Sequence, residues 1–305
     1  MDNKRYRSLN DYFREHFSKK VYKLALSVSN TCPNRDGTVG FDGCIFCSGQ
    51  GSGDFAEKCD LSVVEQINNA KQRVAKKIKN GAYCAYFQSF TSTYCEYPKM
   101  KKAFFDAVNH PDIVCLSIAT RPDCLAQNVL ELLEEINKIK PLTVELGLQS
   151  SKQETVEYIR RGYPNEVYAD AVKKLKSRGI EVVTHLIIGL PNETEEDVLR
   201  SLDFAIQSGT DGVKLQLLHI LEDTDLADEY KKGRVDMMSL EEYARILGVC
   251  INHIPKNIII HRLTGDGAKK HLIAPMWSAD KKRVLNYINH YFEENNIIQG
   301  SCFEE

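Results

Sequence analysis

Short runs of β-branched and other apolar residues alternate along the chain with longer stretches whose apolar positions recur at helical spacing. The short runs predict strands at residues 22–29, 82–88, 113–119, 143–148, 181–188 and 212–217. The stretches between them predict helices at residues 63–79, 99–109, 128–138, 166–178 and 195–208. Ser62 and Glu65 have the spacing of a capping box at the start of the first helix. Gly179 and Gly209 fall where helix ends are expected.

Regular alternation of strands and helices predicts a parallel sheet with right-handed crossovers. Six such units are too few to close an eightfold barrel, so we expect an open, partial (β/α)6 barrel. A helix at 240–252, a strand at 257–263 and a helix at 278–295 predict a small C-terminal α/β extension. The expected organisation is an N-terminal lead-in at 1–18, a core at 19–252 and the extension at 253–305.

Composition limits the class of protein further. Of the 305 residues 43% are hydrophobic and 27% are charged, which is typical of a soluble globular protein. No apolar run approaches membrane-spanning length, and the polar N-terminus has no export segment, so we expect no membrane association. Ten cysteines without an evenly spaced framework indicate a reducing compartment, and we expect a cytoplasmic protein.

Charge is distributed unevenly along the chain. The formal net charge is only −2, but the segment from His253 to His290 holds seven Lys or Arg residues and two acidic residues. A surface of this kind can neutralise phosphates. The alternative interpretation is a solvated helix face, and charge alone does not separate the two.

Cys32, Cys44 and Cys47 are the strongest candidates for chemistry. Two residues separate Cys44 from Cys47, a spacing that lets two thiolates bind one metal centre. Three glycines between Cys32 and Cys44 let the backbone turn tightly enough to bring the first thiolate to the same centre. A [4Fe-4S] cluster usually takes four thiolates, so three leave one iron without a protein ligand. An open position of this kind is typical of a reactive site.

Two other interpretations of these cysteines remain open. A structural zinc ion would need a fourth ligand, and Cys59 could supply it. A disulfide with one spare thiol would suit a secreted protein, although the chain shows no signal peptide.

Taken together these residues resemble the radical S-adenosylmethionine (SAM) superfamily. Eleven residues separate Cys32 from Cys44, as in the subgroup that contains the catalytic subunit of the elongator complex, and Phe46 matches the family's aromatic position beside the cluster. The runs Thr-Arg-Pro-Asp at 120–123 and Glu-Leu-Gly-Leu-Gln-Ser at 145–150 resemble the same group. The resemblance implies that Cys32, Cys44 and Cys47 hold a [4Fe-4S] cluster whose fourth iron is chelated by SAM.

The resemblance also implies residues that bind SAM. Gln149 matches a residue that contacts the ribose, and Arg161 matches one that pairs with the methionine carboxylate. His185 lies where relatives use a polar side chain near the ribose, and Gly189 allows close approach of the adenine. Glu145 begins the matching motif on the fourth strand.

The Gly-Gly-Glu motif that binds the SAM amino group in the family is absent from this chain. The run Gln-Ser-Phe-Thr-Ser-Thr at 88–93 takes its place. We therefore expect Gln88, Ser89 or backbone carbonyls to make the amino contact.

Over its full length the chain resembles a bacterial family that carries the elongator-like core without an acetyltransferase domain. The runs at 261–267 and 272–277 match its C-terminal signature. The resemblance implies a tRNA-modifying enzyme that converts wobble 5-carboxymethylaminomethyl(-2-thio)uridine to 5-aminomethyl(-2-thio)uridine. It also implies an electron donor such as flavodoxin or ferredoxin, and a tRNA methyltransferase that uses the product.

Four side chains are candidates for the substrate. Arg121 and Arg262 could each bind a carboxylate or phosphate with two hydrogen bonds, although a salt bridge from Arg121 to Asp123 is an equal alternative. Thr264 and Asp266 could hold the uridine edge, or they could form turns beside the neighbouring glycines.

Two other functions remain open at this point. The first is a radical SAM enzyme that acts on a small molecule or a protein. The second is a metal-stabilised RNA-binding module without catalysis.

Overall fold

The computed structural model describes residues 5–51, 53–75, 81–265, 267 and 269–303. Its strands are β1 (Val21–Leu26), β2 (Ala82–Phe87), β3 (Ile113–Thr120), β4 (Leu142–Gln149), β5 (Glu181–Ile188), β6 (Gly212–Leu217), β7 (Ile220–Leu221), β8 (Ile259–Arg262) and β9 (Leu272–Ala274). Seven of them form one parallel sheet in the order β1-β2-β3-β4-β5-β6-β8. Strands β7 and β9 form a separate antiparallel pair. The open, partial barrel predicted from the sequence is confirmed, with one strand more than the six units expected.

Helices connect the strands of the sheet. They are α1 (Leu9–Phe17), α2 (Val63–Val74), α3 (Tyr97–Val108), α4 (Gln127–Ile139), α5 (Gln153–Tyr158), α6 (Asn165–Lys176), α7 (Glu195–Gln207), α8 (Asp225–Lys231), α9 (Leu240–His253) and α10 (Lys281–Glu294). The capping box at Ser62 and Glu65 is confirmed. The helix predicted at 63–79 ends at Val74, and residues 76–79 lie outside the described part of the chain.

The two faces of the sheet differ sharply in polarity. Alternate strand residues such as Leu24, Phe87 and Leu146 face the surrounding helices and are fully or almost fully buried. They form one continuous core with helix residues such as Phe104 and Val172. The buried outer face anchors the helices to the sheet through the hydrophobic effect.

Each of the seven strands contributes at least one polar or charged side chain to the inner face. We call one set of seven, with one member from each strand, the inner polar layer; its members are Lys23, Tyr86, Ser117, Glu145, His185, Lys214 and Arg262. The strand register places Tyr86 beside Ser117, and it places Lys214 between His185 and Arg262. Because side chains alternate along a strand, an apolar outer face leaves these positions pointing into the half-barrel.

The two ends of the chain meet at the last strand. The Ile260 amide donates to the carbonyl of Arg7, and the Gln299 side chain accepts from the Arg7 amide. Strand β8, which falls in the expected C-terminal extension, therefore continues the sheet of the core and is covered by the N-terminal lead-in. No helix in the described ranges has the length and apolar character needed to cross a membrane.

Candidate active site

The three cysteines lie on a loop that follows β1 at the carboxyl end of the sheet. Two polar side chains fix the loop. Asn34 donates to the Arg160 carbonyl at 2.5 Å and lies 3.6 Å from the Cys44 sulfur. Arg35 donates to the carbonyls of Cys47 and Ser48 at 2.8 and 2.7 Å. These contacts replace the regular secondary structure that the loop lacks, and they hold the thiols in place.

The backbone conformation at Gly43 favours glycine over any other residue. Gly43, directly before Cys44, has φ +73°, and a Cβ at this position would lie 2.9 Å from the Arg35 Nε atom. A side chain would therefore be strained and would displace the arginine that holds the loop.

Most of the predicted site residues line one cavity of about 260 Å³. Those in its wall are Cys32, Cys44, Phe46, Cys47, Gln88, Arg121, Glu145, Gln149, Arg161, His185 and Arg262. Ser89, Gly189 and Thr264 are outside the lining. Asp266 lies outside the described residues.

The cysteine set fits a multi-iron cluster. Burial and the nearby Cys47 raise the pKa of the Cys44 thiol to about 12, so its thiolate needs the positive charge that iron supplies. No group of three or more His, Cys, Asp or Glu residues in the described ranges is placed to hold a single metal ion. Each thiolate of a cluster binds a different iron, so three sulfurs need not converge on one point. The alternative of zinc completed by Cys59 has no support, because Cys59 is outside the cavity lining.

Glu145 is the centre of the inner polar layer, and it is only 1% exposed. Its Oε1 atom accepts hydrogen bonds at 2.6 Å from the Lys23 ammonium and from the Ser117 hydroxyl. A buried carboxylate is costly unless it is paired and hydrogen-bonded, and these two contacts satisfy one of its oxygens.

The second carboxylate oxygen of Glu145 faces the other side of the half-barrel. It is bonded to the Tyr86 hydroxyl at 3.0 Å, to His185 Nε2 at 2.7 Å and to the Lys214 ammonium. Lys214 also donates to the Tyr86 hydroxyl at 3.0 Å. Although burial opposes ionisation, the two lysines hold the pKa of Glu145 well below its usual value.

The same environment shifts the bases of the layer in the opposite sense. Burial and the charge of Lys214 lower the pKa of His185 to about 4, so its imidazole is neutral at physiological pH. Burial lowers the pKa of Lys214 to about 7, and the neighbouring cations Lys23 and Arg262 also lower it. Lys214 therefore changes its charge near neutral pH.

Gln149 offers an unused acceptor to the cavity. It ends β4 with φ +60°, at a point where the register with β5 is irregular. Its Oε1 atom is buried and accepts no hydrogen bond from any residue in the described part of the chain. A Cβ on Gly147 would lie 2.3 Å from Gln149 Nε2, so the glycine makes room for this side chain. The arrangement suits a ligand hydroxyl as the missing donor.

The structure gives Arg161 different partners from those expected. All five of its N–H groups are used within the protein, by the carbonyls of Leu148, Ser150 and Tyr163 and by the Asn165 side chain. With 1% exposure, its guanidinium has no donor left for a SAM carboxylate. These contacts fix the turn after β4, and the expected contact between Arg161 and the SAM carboxylate stays a prediction.

Arg121 is also engaged, through the salt bridge that the sequence left open. Its guanidinium binds both carboxylate oxygens of Asp123, at 2.9 and 2.7 Å, and donates to the Arg161 carbonyl at 2.9 Å. Its face lies 4.7 Å from the centre of the Tyr163 ring. The salt bridge is confirmed, and it occupies the edge of Arg121 that a substrate carboxylate would need.

Sequence reasoning missed several residues of the cavity wall. Tyr86, Lys214, Gln216 and His219 line it together with the predicted residues. The strand Gly-Val-Lys-Leu-Gln-Leu at 212–217 alternates apolar and polar positions. This alternation was the available signal, because in a half-barrel the polar face of such a strand points inward.

Comparison with known proteins identifies the family. Residues 26–205 match the radical SAM superfamily, and residues 210–294 match the radical SAM C-terminal domain. The first match covers more than half of the 305 residues, and the chain therefore belongs to the radical SAM superfamily. It is a radical SAM enzyme, and its cofactors are a [4Fe-4S] cluster and SAM.

Individual relatives add to this assignment. Uncharacterized protein YtqA of Bacillus subtilis is 40% identical over 301 residues, which are 99% of this chain and 94% of the relative. A tRNA uridine(34) acetyltransferase of Methanocaldococcus jannaschii is 29% identical over 197 residues, 62% of this chain and 34% of that protein. The structure of Methanocaldococcus infernus Elp3 with an N-terminal deletion has a TM-score of 0.68 at 18% identity, and it covers 92% of this chain and 64% of that chain. The structural likeness shows the fold.

Replacing Arg161 with methionine tests its structural role. We expect the free energy of unfolding to fall by about 3 kcal/mol or more, since several buried carbonyls lose their donors. The SAM dissociation constant of the folded variant should stay within about threefold of the wild type. Chemical denaturation and equilibrium dialysis measure the two quantities.

The neighbouring Arg160 is the matched control, because it pairs with Asp225 at the surface with 36% of its side chain exposed. Arg160→Met should cost at most about 1 kcal/mol. If Arg161→Met instead lost most of its SAM affinity while its stability was unchanged, the result would support a direct contact between Arg161 and the SAM carboxylate.

Proposed function

We propose that this radical SAM enzyme modifies tRNA at the wobble position. The proposed reaction converts 5-carboxymethylaminomethyl(-2-thio)uridine to 5-aminomethyl(-2-thio)uridine. An electron donor such as flavodoxin or ferredoxin would reduce the enzyme, and a separate tRNA methyltransferase would use the product.

One observation carries the proposal: the three cysteines line the same cavity as five members of the inner polar layer, two of which are the cations Lys214 and Arg262. Cys32, Cys44 and Cys47 would hold the cluster at its carboxyl edge. When bound, the cluster and SAM supply a 5′-deoxyadenosyl radical that abstracts hydrogen. The wall beyond the cysteines carries the cations Lys214 and Arg262, which suit a substrate group with a negative charge.

Several lining residues are suited to SAM. Gln149 would accept a hydrogen bond from a ribose hydroxyl through its unpaired Oε1 atom. Phe46 would pack beside the adenine, and Gln88 would contact the amino end. His185 is held to Glu145 at 2.7 Å, which fixes the orientation of its ring, and the ring would lie near the ribose. Together these side chains would orient SAM and exclude water from the reacting atoms.

Two further observations support a tRNA substrate. The first is the relative named tRNA uridine(34) acetyltransferase, whose similarity extends over 62% of this chain. The second is the basic character of the segment from His253 to His290, where the exposed cations include Lys269, Lys270, Lys281, Lys282 and Arg283. Exposed Lys and Arg side chains of this kind can neutralise backbone phosphates outside the cavity.

Removing one proposed cluster ligand should abolish the chemistry. We expect Cys44→Ala to form 5′-deoxyadenosine only at background level, since two thiolates cannot retain the cluster. Cys59→Ala is the control and should retain the wild-type rate and iron content. Chromatography of anaerobic reaction mixtures measures 5′-deoxyadenosine. Loss of iron in Cys59→Ala would instead favour a site closed by a fourth protein ligand.

Deleting the gene tests the substrate directly. We expect tRNA from the deletion strain to accumulate 5-carboxymethylaminomethyl-type uridine and to lose the nucleosides derived from the 5-aminomethyl form. Mass spectrometry of nucleosides from digested tRNA measures both, and a plasmid copy encoding Cys44→Ala serves as the inactive control. A profile identical to that of the parent strain would contradict the tRNA proposal.

A further inference from the structure

Lys214 is a member of the inner polar layer with one hydrogen-bonding position left unfilled by the described residues. It projects from β6 into the cavity wall and is only 3% exposed. Two of its three N–H groups donate, to the Tyr86 hydroxyl and to Glu145. The third has no acceptor among the residues that the structure describes. A buried ammonium in this state can donate to one more acceptor, and Lys214 lines the cavity in which a ligand could supply it.

The charge around Glu145 is also unbalanced. Lys23 and Lys214 both form ion pairs with this one carboxylate. The ring of His185 is neutral at physiological pH and adds no charge. One further anion beside Lys214 would balance the two ammonium groups and fill the unused N–H position. Because Lys214 is buried, such a contact is stronger there than at the protein surface.

Building on the proposed function, we propose that Lys214 binds the substrate's carboxylate, the acidic end of an N-alkylglycine group on the nucleoside. Tyr86 and Glu145 hold the ammonium in position for this contact. The substrate and the product both carry a protonated amine at this position, but the product has lost the carboxymethyl group and with it the only anion of the side chain. Lys214 therefore attracts the substrate and repels the product, so the same residue gives both recognition and release.

The charge of Lys214 makes this recognition depend on pH. The ammonium binds a carboxylate only when protonated, so affinity for the substrate falls as pH rises through about 7. The ionisable groups that interact with Lys214 are Glu145, Tyr86, His185, Lys23, Arg262, His261 and Cys84. Of the lysine's hydrogen-bond partners, Glu145 stays ionised and Tyr86 stays protonated in this range, since the pKa of Glu145 is far below its usual value and that of Tyr86 is far above.

The decisive experiment compares two tRNAs, one with 5-carboxymethylaminomethyluridine and one with 5-aminomethyluridine at the wobble position. We expect the wild-type holoenzyme to bind the first more tightly. Lys214→Met should lose this preference, and its kcat/KM should fall about 10- to 100-fold, mostly through KM. Lys214→Arg should restore most of the preference and flatten its decline above pH 7, because arginine stays protonated.

Lys23→Met is the matched control. Lys23 also pairs with Glu145, at 2.6 Å, but it is outside the cavity lining. We expect this variant to keep the preference for the carboxylate-bearing tRNA. Equal loss in Lys23→Met and Lys214→Met would overturn the proposal, because both residues would then act only by holding Glu145. Retained preference in Lys214→Met would also overturn it. Iron content and thermal unfolding identify the variants that are folded.

A small-molecule titration separates this proposal from the tRNA proposal. Calorimetry with N-methylglycine, with methylamine as the comparison, probes the carboxylate site of the SAM-loaded holoenzyme without RNA. If the wild type does not modify the tRNA that carries 5-carboxymethylaminomethyluridine, the proposed function is wrong. Binding of N-methylglycine with proton uptake above pH 7, lost in Lys214→Met and kept in Lys23→Met, would still support the carboxylate site. No binding by a wild type that is inactive on tRNA would overturn it.

Discussion

The buried carboxylate of Glu145 is the interaction on which the interior of this half-barrel depends. It lies on β4 and is bonded to side chains from β1, β2, β3, β5 and β6, namely Lys23, Tyr86, Ser117, His185 and Lys214. A charge buried this deeply is tolerated only with such a set of partners, and loss of one would leave another charge unpaired. The network joins neighbouring strands across the inner face and keeps that face polar, whereas the outer face is packed against helices.

This polarity gives the sheet a cavity where parallel sheets are usually packed on both sides. The cysteine loop closes the carboxyl end of the cavity. The Ile45 amide donates to the Ile159 carbonyl, and Asn34 donates to the carbonyl of Arg160. The loop is therefore fastened to the segment that follows α5. Arg161, the next residue, binds carbonyls at the end of β4. The cysteine loop is thus connected through Arg161 to β4, the strand that carries Glu145.

Much of the fold could be predicted from the sequence, because strand and helix periodicity are local properties. The strand at 181–188 was predicted with its observed bounds, and the capping box at Ser62 marked the start of α2. The short helices α5 and α8, the lead-in helix α1 and the pair β7–β9 were missed. They span few residues, and α8 and β7–β9 pack in a small core with Ile45 below the cysteine loop. Contacts of this kind come from tertiary structure and leave a weak periodic signal.

The site shows the same division between local and tertiary information. The cysteine spacing alone predicts the cluster ligands, because a loop motif brings its ligands together over a short stretch of chain. The partners of Arg161 could not be predicted, since a motif match does not reveal how many carbonyls a fold turns toward one guanidinium. Lys214 was missed for a related reason. A lysine that alternates with apolar residues in a strand is typical of a solvent-facing position, and only the curvature of the sheet places it inside.

The central claim is that three thiolates leave one iron of the cluster open to SAM. Mössbauer spectroscopy of the anaerobic enzyme, reconstituted with 57Fe, tests it most directly. We predict that one iron in each cluster changes its isomer shift and quadrupole splitting when SAM is added, while the other iron sites are unaffected. A spectrum that shows every iron with a protein ligand, and that SAM leaves unchanged, would contradict the account.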